Sequence, residues 1–330
     1  MAAAEKLRLL ESHQPSWSST AKWLSFAGLF FIGEGALYVS LVWENYWLSF
    51  FLILLLAHLM HAHVIAFHEA AHTLLCPKPW LNDLLGMFVG LLSFMSLTLY
   101  RTIHHTHHAY LATERDEELW PFVVPGTPRW QRRLAAGTEL ICGLFYTPLL
   151  FVRSFVRSGS PISDRRLRIR IWLEFAGMSL IWGGVIAATA WFGQWKFLLV
   201  MYGIPAFLAG SMQSLRKYTE HMGLAGSTPT TSTRSIISLG ILGRVLSFSL
   251  FNEPYHGVHH VYARLPHEYL PQFASVLTPE TEDEPFPYPN YRSAMWHMLG
   301  TLRDPRVGAQ WLQSRPPRKT RFRMPSMAAQ

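Results

Sequence analysis

The sequence predicts an all-α integral membrane protein with about four transmembrane helices in two hairpins and a histidine-rich domain on the cytoplasmic side. Three observations support this prediction. Half of the 330 residues are apolar and only 15% are charged, well below the roughly 25% of an average soluble protein. Several apolar runs approach about 20 residues, the length that crosses a bilayer as a helix. The 16 histidines are concentrated near the ends of those runs.

Six apolar runs determine the predicted layout of the chain. They span residues 24–43, 46–67, 84–100, 172–192, 197–212 and 236–251. Only a few residues separate the first run from the second and the fourth from the fifth, so each pair predicts a membrane-crossing helical hairpin. The third run is at the short limit, and it either spans the membrane or dips in and returns. The sixth contains Arg244, and we predict that it is interfacial or re-entrant.

Basic stretches determine the predicted orientation. Arginines are frequent between residues 101 and 171, and further lysines and arginines lie in both terminal segments. Because cytoplasmic loops of membrane proteins carry an excess of Lys and Arg, all three stretches are expected in the cytoplasm. We therefore divide the chain into a cytoplasmic N-terminal segment (1–22), a membrane domain (23–275) and a cytoplasmic tail (276–330). Since this orientation accounts for the net charge of +8, no nucleic-acid partner is expected.

Histidines cluster where apolar runs reach the predicted cytoplasmic side. His68 and His72 lie four residues apart in "FHEAAHT", which places them on one face of a helix. The candidate metal ligands are these two with His104, His107 and His108 of "HHTHH", His221 of "TEHMG", and His256, His259 and His260 of "HGVHH". Imidazole suits iron, zinc and copper. Eight or nine imidazoles exceed what one ion can use, so the pattern favours two ions with open positions for a small molecule such as dioxygen.

Two other functions remain open from these residues alone. "HEAAH" matches the zinc-peptidase pattern, in which His68 and His72 bind zinc and Glu69 is the general base, although two histidine clusters are then unexplained. A metal-binding or transport protein without catalysis would also place histidines at the mouths of spans. We expect His105 to be a spare member of its cluster and His267 to be an ordinary surface or loop residue.

Taken in order, the three histidine motifs resemble the boxes of the membrane fatty acid desaturase superfamily, which includes related hydroxylases, ketolases and decarboxylases. The family pattern is HX3–4H, then HX2–3HH, then H or Q followed by X2–3HH. "HEAAH", "HHTHH" and "HGVHH" match these boxes, and His221 fits the additional histidine that many members carry before the last box. The resemblance covers about residues 45–275, so the membrane domain is expected to be desaturase-like.

The resemblance implies a di-iron centre on the cytoplasmic face of a four-span helical protein. It also implies dioxygen as co-substrate and two electrons from a separate donor protein such as a ferredoxin or cytochrome b5. The implied reaction acts on a C–H bond of a long-chain lipid, with fatty acyl desaturation as the first expectation. The alternative is a hydroxylase, ketolase or decarboxylase of the same superfamily acting on a fatty acid, an alkane or a carotenoid.

Acidic residues near the motifs are expected to support the ligands. Glu69 is the candidate catalytic residue outside the ligand set, because a carboxylate beside a ligand can orient the imidazole by accepting its other N–H. Asp116, Glu220 and Glu253 are the other acidic residues singled out near the ligands in sequence. In stearoyl-CoA desaturases an asparagine four residues before the additional histidine contributes to the site, whereas this chain has Lys217 there.

Overall fold

The structure, a computed structural model, describes residues 10–238, 240–279 and 286–313. Within that part of the chain the regular structure is helical, and an isolated bridge between Ile236 and Tyr288 is the nearest approach to a strand. The predicted all-α class is therefore confirmed. Parts of the predicted cytoplasmic termini, including Lys6, Arg8 and the basic tail from Arg315 onward, lie outside the described residues.

The helices are numbered here in chain order. They are α1 (Trp17–Val42), α2 (Tyr46–Ala71), α3 (Pro79–Leu92), α4 (Leu97–Ala109), α5 (Arg129–Val156), α6 (Arg165–Trp191), α7 (Trp195–Leu198), α8 (Ile204–His221), α9 (Ile241–Ser249), α10 (His256–Val261), α11 (Tyr291–Thr301) and α12 (Gln310–Gln313). A π-helical turn, Leu199–Gly203, joins α7 to α8 without a break. Short 3-10 segments, Glu253–Tyr255 and Leu270–Leu277, flank α10.

Five helical segments are long and apolar enough to cross a membrane: α1, α2, α5, α6 and the continuous stretch Trp195–His221. The pair α3 and α4 raises the number to six if it is counted as one bent span. The predicted hairpins correspond to α1 with α2 and to α6 with Trp195–His221. The number of spans and their cytoplasmic orientation stay predictions.

Helix α5 was not predicted from the sequence as an apolar run. Its first turns contain Arg129, Arg132 and Arg133, and Pro148 lies inside it. These residues interrupt the apolar pattern that identifies a span, although an 18-residue window of α5 is apolar enough for one. The buried carboxylate of Glu139 in this helix pairs with Lys217 of α8. A buried charge needs such a partner. The contact with Lys217 therefore allows the charged Glu139 to lie buried in a helix that is otherwise apolar enough to span a membrane.

Close helix packing brings α8 against α5. A Cβ atom on Gly143 of α5 would collide with the backbone oxygen of Gly210, and one on Gly210 of α8 would collide with the backbone of Leu144. Small residues at such crossings let two backbones approach closely, as is common between membrane helices. Helix α2 packs against both α1 and α8, so its C-terminal end meets the C-terminal end of α8.

The third and sixth apolar runs do not form single long helices. Helices α3 and α4 meet at an angle of 99° across a break of a few residues, and Ser96 caps α4 by accepting a hydrogen bond from the Leu99 N–H. The bend returns the chain towards the end of α2 and delivers "HHTHH" on α4. Helix α9 has only 9 residues, too few to span a bilayer, which fits the prediction for the run 236–251.

Candidate metal centre

The ends of four helices gather the predicted metal ligands into two adjacent groups. The first group, whose ligand atoms all lie within 4.8 Å of one another, is His68, His72, His104, His108 and His259. His107, His221 and His260 form the second group by the same measure, and His256 joins it through its contacts with His221 and His260. Helices α2, α4, α8 and α10 thus supply all nine histidines singled out from the sequence.

The two groups touch each other. The rings of His108 and His260 stack with their centroids 4.3 Å apart, and the rings of His107 and His108 meet edge to face. The described residues therefore place two sets of imidazoles side by side, as a centre with two ions requires.

Within each group the ring nitrogens converge. In the first group the Nε2 atom of His104 lies 2.8 Å from that of His68 and 3.1 Å from that of His108. In the second group the Nε2 atom of His256 lies 2.8 Å from that of His221 and 3.0 Å from that of His260. Two ligands about 2.1 Å from one ion and at right angles to it would be about 3.0 Å apart, so these separations suit shared coordination.

Carboxylates determine which nitrogen of each ring carries the proton. The Nδ1 atoms of His104 and His107 donate to Glu118 and Asp116 at 2.8 and 2.9 Å. The Nδ1 atom of His256 donates to Glu253 at 2.9 Å. A neutral imidazole that donates from Nδ1 has only a lone pair at Nε2. The Nε2 atoms of these three rings therefore offer lone pairs that could bind a metal ion.

The arrangement fits a cation better than it fits hydrogen bonding among the rings. The Nδ1 atom of His256 hydrogen-bonds to Glu253 and that of His221 to the backbone oxygen of Ser232, so both rings direct an Nε2 lone pair towards the same point, with the two Nε2 atoms 2.8 Å apart. Lone pairs at that separation repel unless a cation lies between them. The Nε2 atom of His72 has no hydrogen-bond partner among the described residues, which leaves it for a metal as well. The residues present thus fit a metal centre.

Burial keeps the imidazoles outside the membrane helices neutral. Burial, reinforced by neighbouring histidines, holds the pKa values of His259 and His260 well below their usual range. Burial is also the main cause that lowers the pKa of His72 to about 3. Neutral imidazole is the form that binds metal ions, so these groups need lose no proton when an ion enters.

Glu253 connects the two groups. One of its oxygens accepts from His256 of the second group, and the other lies beside His68 of the first. Arg216 donates to Glu253 at 2.6 Å and to both oxygens of Glu220 at 2.6 and 2.8 Å. Burial alone would raise the pKa of Glu253, but the Arg216 guanidinium and His256 hold it below its usual value. An ionised carboxylate thus faces a ligand from each group.

Glu69, the predicted catalytic residue, has a different neighbour. Its carboxylate lies 3.3 Å from the Nδ1 atom of His267 and 3.4 Å from the backbone nitrogen of the same residue. Its hydrogen bonds in the described structure go to His267, which is not one of the predicted ligands. His267, predicted to be a surface or loop residue, lies in a loop, but it is buried there and only 2% exposed.

The remaining residues near the site are one that was predicted to be a spare histidine, one that departs from the family pattern and two that the sequence analysis did not identify. His105 is exposed and belongs to neither group. Lys217, which replaces the asparagine of stearoyl-CoA desaturases, pairs with Glu139 of α5 and so ties α8 to α5. Sequence analysis missed Glu118 and Arg216. Glu118 follows "HHTHH" by ten residues, near enough in sequence to be considered as a partner of a ligand. Arg216 precedes Glu220 by one helical turn, a spacing that predicts an ion pair on one face of a helix.

An apolar cavity of about 240 Å³ ends close to the histidines. It is lined by residues of α1, α2, α5 and α8 and of the bend between α3 and α4, including Phe67 and Tyr100 at the histidine end. The ring of Tyr100 stacks on His104 with centroids 5.1 Å apart and an interplanar angle of 9°. Along α2 the cavity extends past His63 to Met60. Its predominantly apolar lining suits a hydrocarbon chain.

Comparison with known proteins gives two matches. The model of the family described as "Fatty acid desaturase" matches residues 45–292. That match begins where the sequence resemblance begins and continues beyond residue 275. The chain is also similar to a protein of Impatiens balsamina named Delta(12) acyl-lipid conjugase (11E,13E-forming), with 21% identity over 267 residues, which cover 71% of this chain and 67% of the conjugase. Since the family match covers well over half of the sequence and includes every histidine of the two groups, the chain belongs to the membrane fatty acid desaturase superfamily.

Proposed function

We propose that this protein is a membrane-bound, oxygen-dependent di-iron oxidoreductase that desaturates a long fatty acyl chain. The observation that carries the proposal is the convergence of two imidazole groups, with lone pairs directed inward, at the end of an apolar cavity. The family membership supports a lipid substrate and an oxidative reaction.

Each ion has a defined set of residues in this proposal. His68, His72, His104, His108 and His259 would hold one iron, and His107, His221, His256 and His260 the other. Bound iron would activate dioxygen, the oxidant that removes two hydrogens from neighbouring carbons. Two electrons from the donor and two protons would be consumed with the dioxygen, and two waters formed.

The chain's own residues prepare and orient this chemistry. Asp116, Glu118 and Glu253 hold ligand imidazoles in one tautomer and one orientation. Tyr100 stacks on His104 and forms part of the cavity wall, so a substrate in the cavity would contact a ring that is itself in contact with a predicted ligand. Glu69 has the role of a positioning residue here, because it fixes His267 next to the end of α2.

The substrate class follows from the cavity and from the family. A fatty acyl chain fits an apolar cavity that runs along α2 away from the histidines. The Impatiens balsamina protein is named for an acyl-lipid substrate, and we extend that class to this chain. Hydroxylation, ketone formation or decarboxylation would use the same ligands and differ in how the substrate is held, so product analysis distinguishes them.

The geometry favours this function over a zinc peptidase. A peptidase that used "HEAAH" would need the Glu69 carboxylate beside the ion held by His68 and His72. The carboxylate instead contacts His267, and the same two histidines lie among three further imidazoles.

Electrons are proposed to come from a separate protein on the cytoplasmic side, such as a ferredoxin or a cytochrome b5. The predicted orientation places the histidines and the basic loops on that side. A basic surface attracts an acidic donor and speeds its association.

Metal analysis of purified variants tests the proposal. We expect about two irons per chain in the detergent-purified protein and new double bonds in the lipids of an expressing host. His107→Ala should lower the iron content and abolish the product. His105→Ala, from the same motif but outside both groups, should retain both. One zinc per chain, kept in His107→Ala and lost in His68→Ala, would show a hydrolase-type site and contradict the proposal.

A further inference from the structure

A second, polar cavity of about 40 Å³ lies away from the histidine groups and the apolar cavity. It is formed by the segment that follows α8, by residues 276–278, and by residues just before and within α11. Its polar lining consists of Thr230, Thr233, Arg234, Ser235, Thr278, Tyr288 and His297. None of these residues belongs to the metal groups or takes part in the proposed reaction.

Arg234 is the only full charge among these polar side chains. It is 2% exposed, and its Nη1 atom donates to the backbone oxygens of Thr219 and Met222 at 3.1 and 2.7 Å. Its Nε and Nη2 atoms have no hydrogen-bond partner among the described residues. No carboxylate in that part of the chain forms an ion pair with it. The Tyr288 hydroxyl is near enough to oppose the effect of burial on the pKa of Arg234, but it does not hydrogen-bond to Nε or Nη2 with ordinary geometry.

The unpartnered atoms form one edge of the guanidinium. Nε–H and the adjacent Nη2–H point in the same direction and make the fork that binds two oxygens of a carboxylate or phosphate. A buried guanidinium without a counter-charge is costly. Burial, charge and geometry therefore all call for an oxyanion at this place.

We propose that this cavity is a binding site for a phosphate group, held by the Nε–Nη2 edge of Arg234. The small volume admits one such group, since a single water needs about 10–15 Å³ by the same measure. Thr233 and Ser235 are buried at the wall. The Thr233 hydroxyl donates to the Pro229 oxygen, whereas Ser235 accepts from the Gly257 N–H and keeps its O–H to donate. The phosphate comes either from a lipid headgroup or from free phosphate in solution.

The site is coupled to the metal centre through the backbone. The backbone N–H of Arg234 donates to the backbone oxygen of Glu220 at 2.7 Å. The Nδ1 atom of His221 lies 3.3 Å from the backbone oxygen of Ser232. The Ser235 hydroxyl accepts from the Gly257 N–H, beside His256. A phosphate that fixes Arg234 therefore also fixes the segment that holds the ends of α8 and α10.

Titration calorimetry with inorganic phosphate on the detergent-purified full chain tests the proposal without requiring turnover. We expect one saturable site, weakened by about tenfold or more in Arg234→Lys, which keeps the charge but loses the fork. Tyr288→Phe should weaken binding less. Arg292→Gln, an exposed arginine at the start of α11, should bind as the original protein does. Metal content measured on the same samples keeps this test separate from that of the proposed function.

The source of the phosphate is resolved by repeating the titration in nanodiscs. Loss of the inorganic phosphate signal in discs containing phosphatidic acid, but not in discs of a neutral, phosphate-free glycolipid, assigns the site to a lipid headgroup; retention in both assigns it to free phosphate. Two results would overturn the proposal. One is equal weakening in Arg234→Lys and Arg292→Gln, or no binding at all. The other is binding that appears only after Glu280, Glu282, Asp283 and Glu284 are neutralised, since a carboxylate of this chain would then be the occupant.

Discussion

Replacement of Glu253 by glutamine tests whether one carboxylate organises both halves of the metal centre. The substitution keeps the size of the side chain and removes its charge. It takes an ionised acceptor away from His256 Nδ1, which lies 2.9 Å from the carboxylate. It also takes a negative charge away from the neighbourhood of His68 Nδ1, which lies 3.5 Å from it. It also removes one of two carboxylates that neutralise Arg216. Metal binding and stability should therefore both fall.

The two effects have different expected sizes. Loss of a carboxylate that orients a metal-bound histidine typically lowers metal affinity about 10- to 100-fold. Breaking a buried ion pair typically costs about 3–5 kcal/mol. Because Arg216 keeps Glu220 as a partner, the free energy of unfolding should fall by no more than about 3 kcal/mol, the lower end of that range.

The assay is a competition for iron between the purified protein and a chelator of known affinity, with thermal unfolding measured on the same sample. Glu220→Gln is the matched control. Glu220 also pairs with Arg216, but its carboxylate is 3.7 Å from His256 Nδ1, too far for a hydrogen bond. The control should lose stability to a similar extent and iron affinity to a smaller one.

Two outcomes would refute the reasoning. If folded Glu253→Gln binds iron as tightly as the original protein, the carboxylate does not organise the ligands. If Glu220→Gln loses as much iron affinity as Glu253→Gln, the effect arises from disturbance of Arg216 rather than from the contacts with the imidazoles.

Three further predictions follow from other contacts. Asp116→Asn should lower iron affinity about 10- to 100-fold through His107 alone, measured in the same chelator competition; an unchanged affinity would contradict the role of that hydrogen bond. Gly210→Ala should destabilise the protein by about 1–3 kcal/mol, because the added methyl group meets the backbone at Leu144, whereas Gly28→Ala, which meets nothing within 4 Å, should have little effect on thermal unfolding. Removal of metal by a chelator should abolish lipid desaturation, and ferrous iron but not zinc should restore it; recovery with zinc would exclude the oxidative reaction.

The sequence predicted which histidines come together because the signal of each motif is local. "HEAAH", "HHTHH" and "HGVHH" each place imidazoles at helical spacing, so one motif is enough to identify one face of a helix. What the sequence could not supply is tertiary. The buried Glu139 of α5 has its counter-charge on α8, where Lys217 lies beside it. The ion pair between Arg216 and Glu253 joins residues that are distant in the chain, so it becomes visible only in the folded structure.

The gathering of ligands from four helices has a consequence for the life of the protein in the cell. In the proposed metal centre, imidazoles from α2, α4, α8 and α10 share the same ions. Metal binding would therefore contribute directly to the free energy of the folded state. A chain that stays without iron opens more often at this junction and is a better substrate for quality-control proteases. Its half-life, followed by pulse-chase, should shorten when cells are starved of iron, so that supply of the metal governs the abundance of the protein as well as its activity.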